Sequence, residues 1–473
     1  MSKLPPELQK LWNEAAAALS AGRNAEAAAA LQRLLRAAPG YAQAWNNLGV
    51  ALRRLQRWDA AEAAFSRGIA LPGGDSESAW SNLGNALRDG GRFAQAEAAF
   101  RQARAKGDSP GTRYNYSLLL RDMNRVEEAA EMLGPIVAAD PGNAQYRWDY
   151  SLMRLQLGDW EQGFADYEAR WSLPGVPALP SDKPRWGGEA LAGRTLLILG
   201  EQGMGDVIQF ARFIPLIEPD GGRILLRLRK PLMRLFAQAP ALAGVALFCE
   251  DDAPPDHDIA IPVGSLPLAL GARPQTLPPP LSFAVPDEMV KAAAAAFPPR
   301  GGRKRVGLVW AGSPGHRNDR NRSTEPKTFL PLFAHPGVDL YALQVGERAA
   351  DLGKSGLGAL LTDLSGRLTD FLDTAAFLRH LDLLVAVDTG TVHLAGSLGL
   401  PTVVATPSAV DWRWGAEGTA TPWYASLRLA RQPRQGDWAG AMARVMAMIA
   451  PRPQPQQPPQ PQPKPKAKPE KKD

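Results

Sequence analysis

The sequence predicts an α-solenoid followed by two α/β halves of the Rossmann-like kind. Three observations carry that expectation. Residues 1–173 repeat with a period near 34 residues. Apolar runs at 195–199 and 383–387 each pass through a Gly-containing turn into a helix. A break at Pro298-Pro299-Arg300-Gly301-Gly302 lies between them and reads as a hinge. At 473 residues the chain is too long for one core, so several domains are expected. The division read from composition is 1–173, 174–300, 301–450 and a tail at 451–473.

The repeats come first. Leu31, Phe65, Phe100, Leu133 and Tyr167 align with spacings of 34, 35, 33 and 34. Two helices per unit at that period is the tetratricopeptide signature. Gly49 and Gly84 on the first helices let the pair approach, while Trp45, Phe65, Trp80 and Phe100 fill the gap as core. Polar first-helix residues recur at Asn46, Asn47, Arg53, Asn82, Asn85, Arg88, Asn115 and Arg121. They are expected either to line a concave groove that holds an extended peptide or to form a solvated face. Trp148, Trp160, Tyr167 and Trp171 make the last unit aromatic, as suits a cap packed on the next domain.

A Pro-rich linker at 174–186 leads into the first α/β half. Thr195–Leu199 reads as a buried strand, followed by Gly200-Glu201-Gln202-Gly203-Met204-Gly205-Asp206 and a helix through Arg212. This is not G-x-G-x-x-G, so a dinucleotide site is unsupported. The glycines leave space above the sheet edge, and Asp206 at the helix start either faces that space or caps the helix. Strands follow at 223–228 and 245–248, and the Pro- and Asp-rich segment 251–288 reads as loop-like.

In the second half, strand 306–310 precedes a loop with His316, Arg317, Arg320, Arg322 and Ser323. Basic side chains at a strand's C-terminal end suit an anion. Strand 340–344 ends at Gln344, and Asp373 or Thr374 is placed to cap a helix. Strand 383–387 then enters Asp388-Thr389-Gly390-Thr391-Val392-His393, a turn whose free N–H groups suit a phosphate. After strand 402–405, Trp412 and Arg413 offer planes for a nucleobase or packing at a domain edge. Trp423, Tyr424 and Trp438 are expected to fold back on the first half.

Composition excludes several classes. The single cysteine, Cys249, leaves no disulfide framework and no Cys-based zinc site. No signal-like apolar core opens the chain and no run of about 18 apolar residues occurs, so a cytoplasmic protein without a membrane span is expected. The net charge is +6, but residues 451–473 hold six Lys/Arg against two Asp/Glu, so the tail supplies most of it. With nine Pro that tail reads as disordered, and nucleic acid is not an expected partner.

Gly203-Met204-Gly205-Asp206-Val207-Ile208 resembles the Gly-Asp element of heptosyltransferase-like enzymes, glycosyltransferase family 9. Asp388-Thr389-Gly390-Thr391-Val392-His393-Leu394-Ala395 resembles that family's phosphate turn. Over about residues 5–440 the chain is similar to bacterial proteins joining tetratricopeptide repeats to such a domain, some of them flagellin glycosyltransferases. The resemblance implies a GT-B fold and inverting, metal-independent transfer from a nucleotide sugar, the donor being a substrate and no cofactor being required. It makes Asp206 the base, Arg322 the neutraliser of leaving phosphate, and His393 a donor-side catalytic residue. Gly203, Gly205, His316, Arg317, Arg320, Ser323, Gln344, Asp373, Thr374, Asp388, Thr389, Gly390, Thr391, Trp412 and Arg413 complete the expected donor-side set. The family often has Lys followed by an aromatic where this chain has Arg322-Ser323. The expected acceptor is a protein held by the repeats, flagellin first. A repeat scaffold that binds without turnover, or a glycan acceptor such as lipopolysaccharide, are the alternatives.

Overall fold

The aligned positions Leu31, Phe65, Phe100, Leu133 and Tyr167 are all buried, each on the second helix of an antiparallel pair. This computed structural model describes residues 4–299, 301–316 and 318–449, so the tail expected at 451–473, together with Arg317, lies outside the described residues. First helices run over Pro6–Ser20, Ala42–Arg54, Glu77–Asp89, Pro110–Asp122 and Ala144–Gln156. Second helices run over Asn24–Ala37, Trp58–Ile69, Phe93–Lys106, Val126–Ala139 and Trp160–Tyr167. A Cβ on Gly49 would sit 2.6 Å from the Phe65 ring, and one on Gly84 would sit 2.9 Å from Phe100, so glycine sets the helix spacing. Trp45 and Trp80 are only partly buried; they pack at the rim and spend their indole N–H groups on Pro39 O and Asp75.

The first sheet contains β1 (Thr195–Leu199), β2 (Arg223–Leu228), β3 (Val245–Cys249) and β4 (Ile259–Pro262), all parallel in the order β3-β2-β1-β4. β4 falls in the stretch expected to be loop. Its four residues are buried beside β1, and Arg185 and Trp186 of the Pro-rich linker attach to it at Ala260. The second sheet contains β5 (Lys304–Val309), β6 (Val338–Ala342), β7 (Thr362–Asp363), β8 (Leu383–Val387), β9 (Thr402–Thr406) and β10 (Leu427–Arg431). Their order is β10-β9-β8-β5-β6-β7, again all parallel. Parallel strands put every C-terminal end on one edge, where ligands bind such sheets.

Those edges face one another. One continuous apolar core joins the last repeat (Trp160, Phe164, Tyr167) to strands of the first sheet and to Trp412, Trp414 and Trp423 of the second half. Trp160 and Trp423 stack with centroids 4.9 Å apart, a contact worth about 0.5–1.5 kcal/mol beyond area burial. The aromatic last unit is therefore a cap packed on both halves. Trp423 and Tyr424 fold back as expected: Arg212 donates to Trp423 O at 3.0 Å and lies over the Tyr424 ring. Trp438 does not; it packs in the separate core on the outer face of the second sheet.

Candidate active site

β1 ends at Leu199, and the chain turns through Gly200–Gly203 into the helix Met204–Phe210. β8 ends at Val387 and turns through Asp388 and Thr389 into the helix Gly390–Ser397. The two helix starts meet. A Cβ built on Gly205 would lie 2.7 Å from His393 Cδ2 and 3.1 Å from Gly390 Cα, so only glycine allows this approach.

Asp206 stands at that meeting point. One carboxylate oxygen accepts the Gly203 N–H at 2.8 Å, the helix-capping role. The other pairs with Arg413 Nη2, which comes from the second half. Capping and facing the other half are thus both true of one side chain. Arg413 is 8 % exposed, donates to Asp411 Oδ1 at 2.8 Å and to Gln209 Oε1 at 2.7 Å, and lies over the Trp412 ring. Burial opposes its charge, but Asp206 and Asp411 win and hold its pKa above the ordinary arginine value.

The second half supplies the remaining groups. Burial and the Asp411 carboxylate push Asp388 up to about 6. Burial likewise works against ionised Asp411, yet Arg413 holds its pKa below the ordinary carboxylate value. His393 is buried, stacked 5.6 Å from Trp414, with Nδ1 3.1 Å from the Tyr424 hydroxyl. Burial and the Arg413 charge push it down to about 3, so it is neutral at physiological pH. His316 is lowered too, by burial and then by Arg322. Arg322 packs where a Cβ on Gly312 would stand, 2.5 Å from Nη2. Its buried Nε makes no hydrogen bond among the described residues; the nearest anion is Asp319 Oδ1 at 3.6 Å. The Thr389 hydroxyl, at the N-cap of the helix Gly390–Ser397, is also buried without a hydrogen-bond partner there. Two such groups near a helix N-terminus are chemically suited to an oxyanion.

The structure brings together Gly205, Asp206, His316, Arg322, Asp388, Thr389, Gly390, His393 and Arg413 through these contacts and charge interactions. Thr391 lies on the first turn of the same helix. Gly203 is the N-cap of the Asp206 helix. Other expected site residues do different work. Gln344 accepts the Trp310 and Ala311 N–H groups and donates to Ala311 O, and Ser323 accepts the Gly312 N–H while donating to Asp319. Both brace the loop after β5, because buried backbone groups need partners. Asp373 and Thr374 do not cap their helix; Asp370 does, accepting from Leu372 and Asp373. Asp373 instead accepts from Thr369 and pairs with Arg234 of the first half, and Thr374 bonds Asp370 O within its own turn. Trp412 is no open shelf for a base. It is 4 % exposed, walled by Phe164, Tyr167, Phe210 and Trp423. Arg320 leaves the site and lies 4.9 Å over the Trp58 ring of the second repeat. Asp411, Trp414, Tyr424 and Gln209 were not in the expected set, although an Asp two residues before Arg413 was a readable signal for an ion pair.

The repeat groove carries a polar ladder. Asn82 donates to Asn46 and Asn115 to Ser81, while Arg53, Arg88 and Arg121 reach Asp89, Asp122 and Asp149 on the following first helices. Asn124, at the edge of the fourth unit, donates to Ala416 O of the second half at 2.9 Å.

Tetratricopeptide repeat models match residues 13–78 and 87–153. The N-terminal part of this chain is a tetratricopeptide repeat array. The chain is 28 % identical over 361 residues to Protein FlbA of Caulobacter vibrioides, covering 70 % of this chain and 60 % of that protein, so the match spans less than two thirds of that relative's length. Among solved structures it is similar to a glycosyl transferase family 9 protein from Veillonella parvula, with TM-score 0.41 and 12 % identity, covering 56 % of this chain and 92 % of that one. It is also similar to MamA from Desulfovibrio magneticus, with TM-score 0.31 and 18 % identity, covering 37 % of this chain and all of that one. YrrB, described as a tetratricopeptide protein with an unusual peptide-binding site, gives TM-score 0.28 and 16 % identity over 34 % of this chain and 84 % of YrrB. No helix among the described residues is long and apolar enough to cross a membrane.

Proposed function

We propose that this chain is a GT-B glycosyltransferase that moves a sugar, with inversion, from a nucleotide sugar to a Ser or Thr hydroxyl of a protein held by the repeats. The observation that supports it is Asp206, a carboxylate from one half held at the oxyanion-ready groups of the other: the Thr389 hydroxyl, the Arg322 Nε and the N–H groups opening the helix at Gly390. The motif resemblance to family 9 enzymes points the same way.

A carboxylate has about four lone-pair positions. Gly203 and Arg413 take two of them, which leaves room for Asp206 to accept a proton from the acceptor hydroxyl. The freed oxygen attacks the anomeric carbon on the face opposite the nucleotide. The carbon–oxygen bond to phosphate breaks with its electron pair, and Arg322, Thr389 and the helix start receive the charge. Neutral His393 acts as a hydrogen-bonding group there, not as a cation. The reaction needs only the donor and the acceptor; it draws on no resident metal or cofactor. We place it in the cytoplasm, with flagellin as the acceptor to test first.

The test is intact-mass analysis of flagellin incubated with the chain and nucleotide sugars. A donor-dependent mass gain is expected, absent with Asp206→Ala although that variant still binds the acceptor. Undiminished transfer by Asp206→Ala would remove Asp206 from the mechanism. Binding of both partners with no mass gain from any donor would leave a scaffold.

A further inference from the structure

The last repeat unit grips the loop that carries Asp206. The Tyr167 hydroxyl lies 2.8 Å from the Gln202 side-chain nitrogen and 3.0 Å from its oxygen. Arg170 Nη2 donates to Glu201 Oε1 at 2.7 Å and to Ser265 Oγ at 2.8 Å, and Nη1 donates to Glu168 at 2.6 Å. Tyr167 and Arg170 are both buried. So the two residues immediately before Gly203 are each held by a side chain of the repeat array. Gln202 has a φ of +60°, in the sparsely populated left-handed region, so the contact also fixes a turn residue.

The same helical segment reaches the other half. Trp160 stacks on Trp423, Phe164 meets Trp412 edge-on at 5.7 Å, and Tyr167 lies 6.2 Å from Trp412. Trp412 is the neighbour of Arg413, and Arg413 pairs with Asp206. One short stretch of the array, Trp160 to Arg170, therefore touches the supports of both members of the pair that bridges the halves.

We propose that the last repeat unit is the third wall of the cleft: Tyr167 and Arg170 are positioning residues for the Gly200–Asp206 loop, and Trp160 and Phe164 hold the Trp412–Trp423 segment against it. The catalytic consequence rests on the glycosyltransferase reading; the placement of the loop does not. The array is then more than a tether. A protein bound along its groove is registered to the site through packed side chains.

Hydrogen exchange and transfer kinetics on the full chain test this together. In Tyr167→Phe, exchange in the segment 200–206 is expected to rise about five- to tenfold, the equivalent of one lost buried hydrogen bond, while β1 and β8 stay as protected as before. The kcat for transfer should fall by a similar factor with donor KM unchanged, and Arg170→Lys should recover part of what Arg170→Met loses. Unchanged exchange at 200–206 in both Tyr167→Phe and Arg170→Met overturns the placement. A uniform rise that includes β1 makes the contact merely structural. A looser loop with unaltered kcat refutes the positioning role. If the wild-type chain transfers nothing, the function reading fails, while the exchange result still decides whether the array holds the loop.

Discussion

Gly205→Ala is the sharpest test of how the halves meet. The new methyl would begin 2.7 Å from His393 Cδ2, and ordinary contact starts at 3.4 Å, so the helix starts must part by about 0.7 Å. His393 cannot yield cheaply, because it is stacked on Trp414 and bonded to Tyr424. Overpacking of this kind costs about 1–3 kcal/mol. Replacing glycine in a helix returns up to about 1 kcal/mol. The net loss, on the order of 1–2 kcal/mol, leaves a folded protein whose Tm moves by a few degrees. The site pays more heavily, since a misplacement near 1 Å between reacting groups costs about a hundredfold in rate. The expected result is a near-normal melt with transfer reduced about a hundredfold, read by intact-mass kinetics beside calorimetry. Wild-type transfer by Gly205→Ala would show that these helices are not in contact in the working state. Loss of the folding transition would show that the glycine serves folding and not the site.

Asp388 titrates at about 6 in the fold against an ordinary value of 3.8, so its contribution to stability is full below about pH 4 and is lost as pH rises through 6. Asp388→Asn has no such loss, and its stability advantage over wild type should widen from pH 4.5 to pH 7.5 by on the order of 1–2 kcal/mol after discounting for partial exposure, read by denaturant unfolding at both pH values; equal differences at both pH values would refute the raised value. Arg322→Met should lower kcat/KM for donor about a hundredfold without weakening acceptor binding and with only a small change in Tm, because among the described residues its Nε makes no hydrogen bond and only a 3.6 Å ion pair with Asp319; steady-state kinetics over donor concentration would show this, and unaltered donor kinetics would take Arg322 out of the site.

How much of this was legible in the sequence follows from how local each constraint is. The repeat register was readable because Leu31, Phe65, Phe100, Leu133 and Tyr167 meet one packing demand five times over. β1, β8 and β9 were readable as apolar runs because both faces are covered. β4 was not: four residues ending in proline inside a Pro-rich stretch carry no period. β7 is two exposed residues, and β10 is interrupted by Arg428 and ends in Arg431. In the site, Asp206 and the Asp388–His393 turn were legible because each sits where a strand ends in a Gly turn. The partner of Asp206 was not, since Arg413 lies 207 residues away and nothing local marks the pairing. Gln344 and Ser323 looked ligand-facing for a sound reason, polarity at a strand's end. Backbone N–H groups of residues 310–312 had the prior claim on them.

The break at residues 298–302 reads as a hinge, but the magnitudes argue against a motion about it. Rotation about a hinge would have to unpack Trp160 from Trp423 and Phe210 from Trp412 and Trp423, all inside one continuous core. Each such ring buries about 150–250 Å², and at roughly 25 cal/mol per Å² exposing even two costs several kcal/mol. Separating Asp206 from Arg413 is cheaper. Arg413 keeps Asp411 and Gln209 as partners when it lets go, and Asp206 is partly exposed, so a released carboxylate is rewetted. The loop ahead of Asp206 carries a left-handed residue, Gln202, which the array holds through a side chain. On the proposed transfer reading, substrates would enter through release of the Asp206–Arg413 pair and movement of the Asp388–Gly390 turn against a fixed aromatic wall. That wall is built in part by the repeats, so the repeat array and the two α/β halves of this chain share one core.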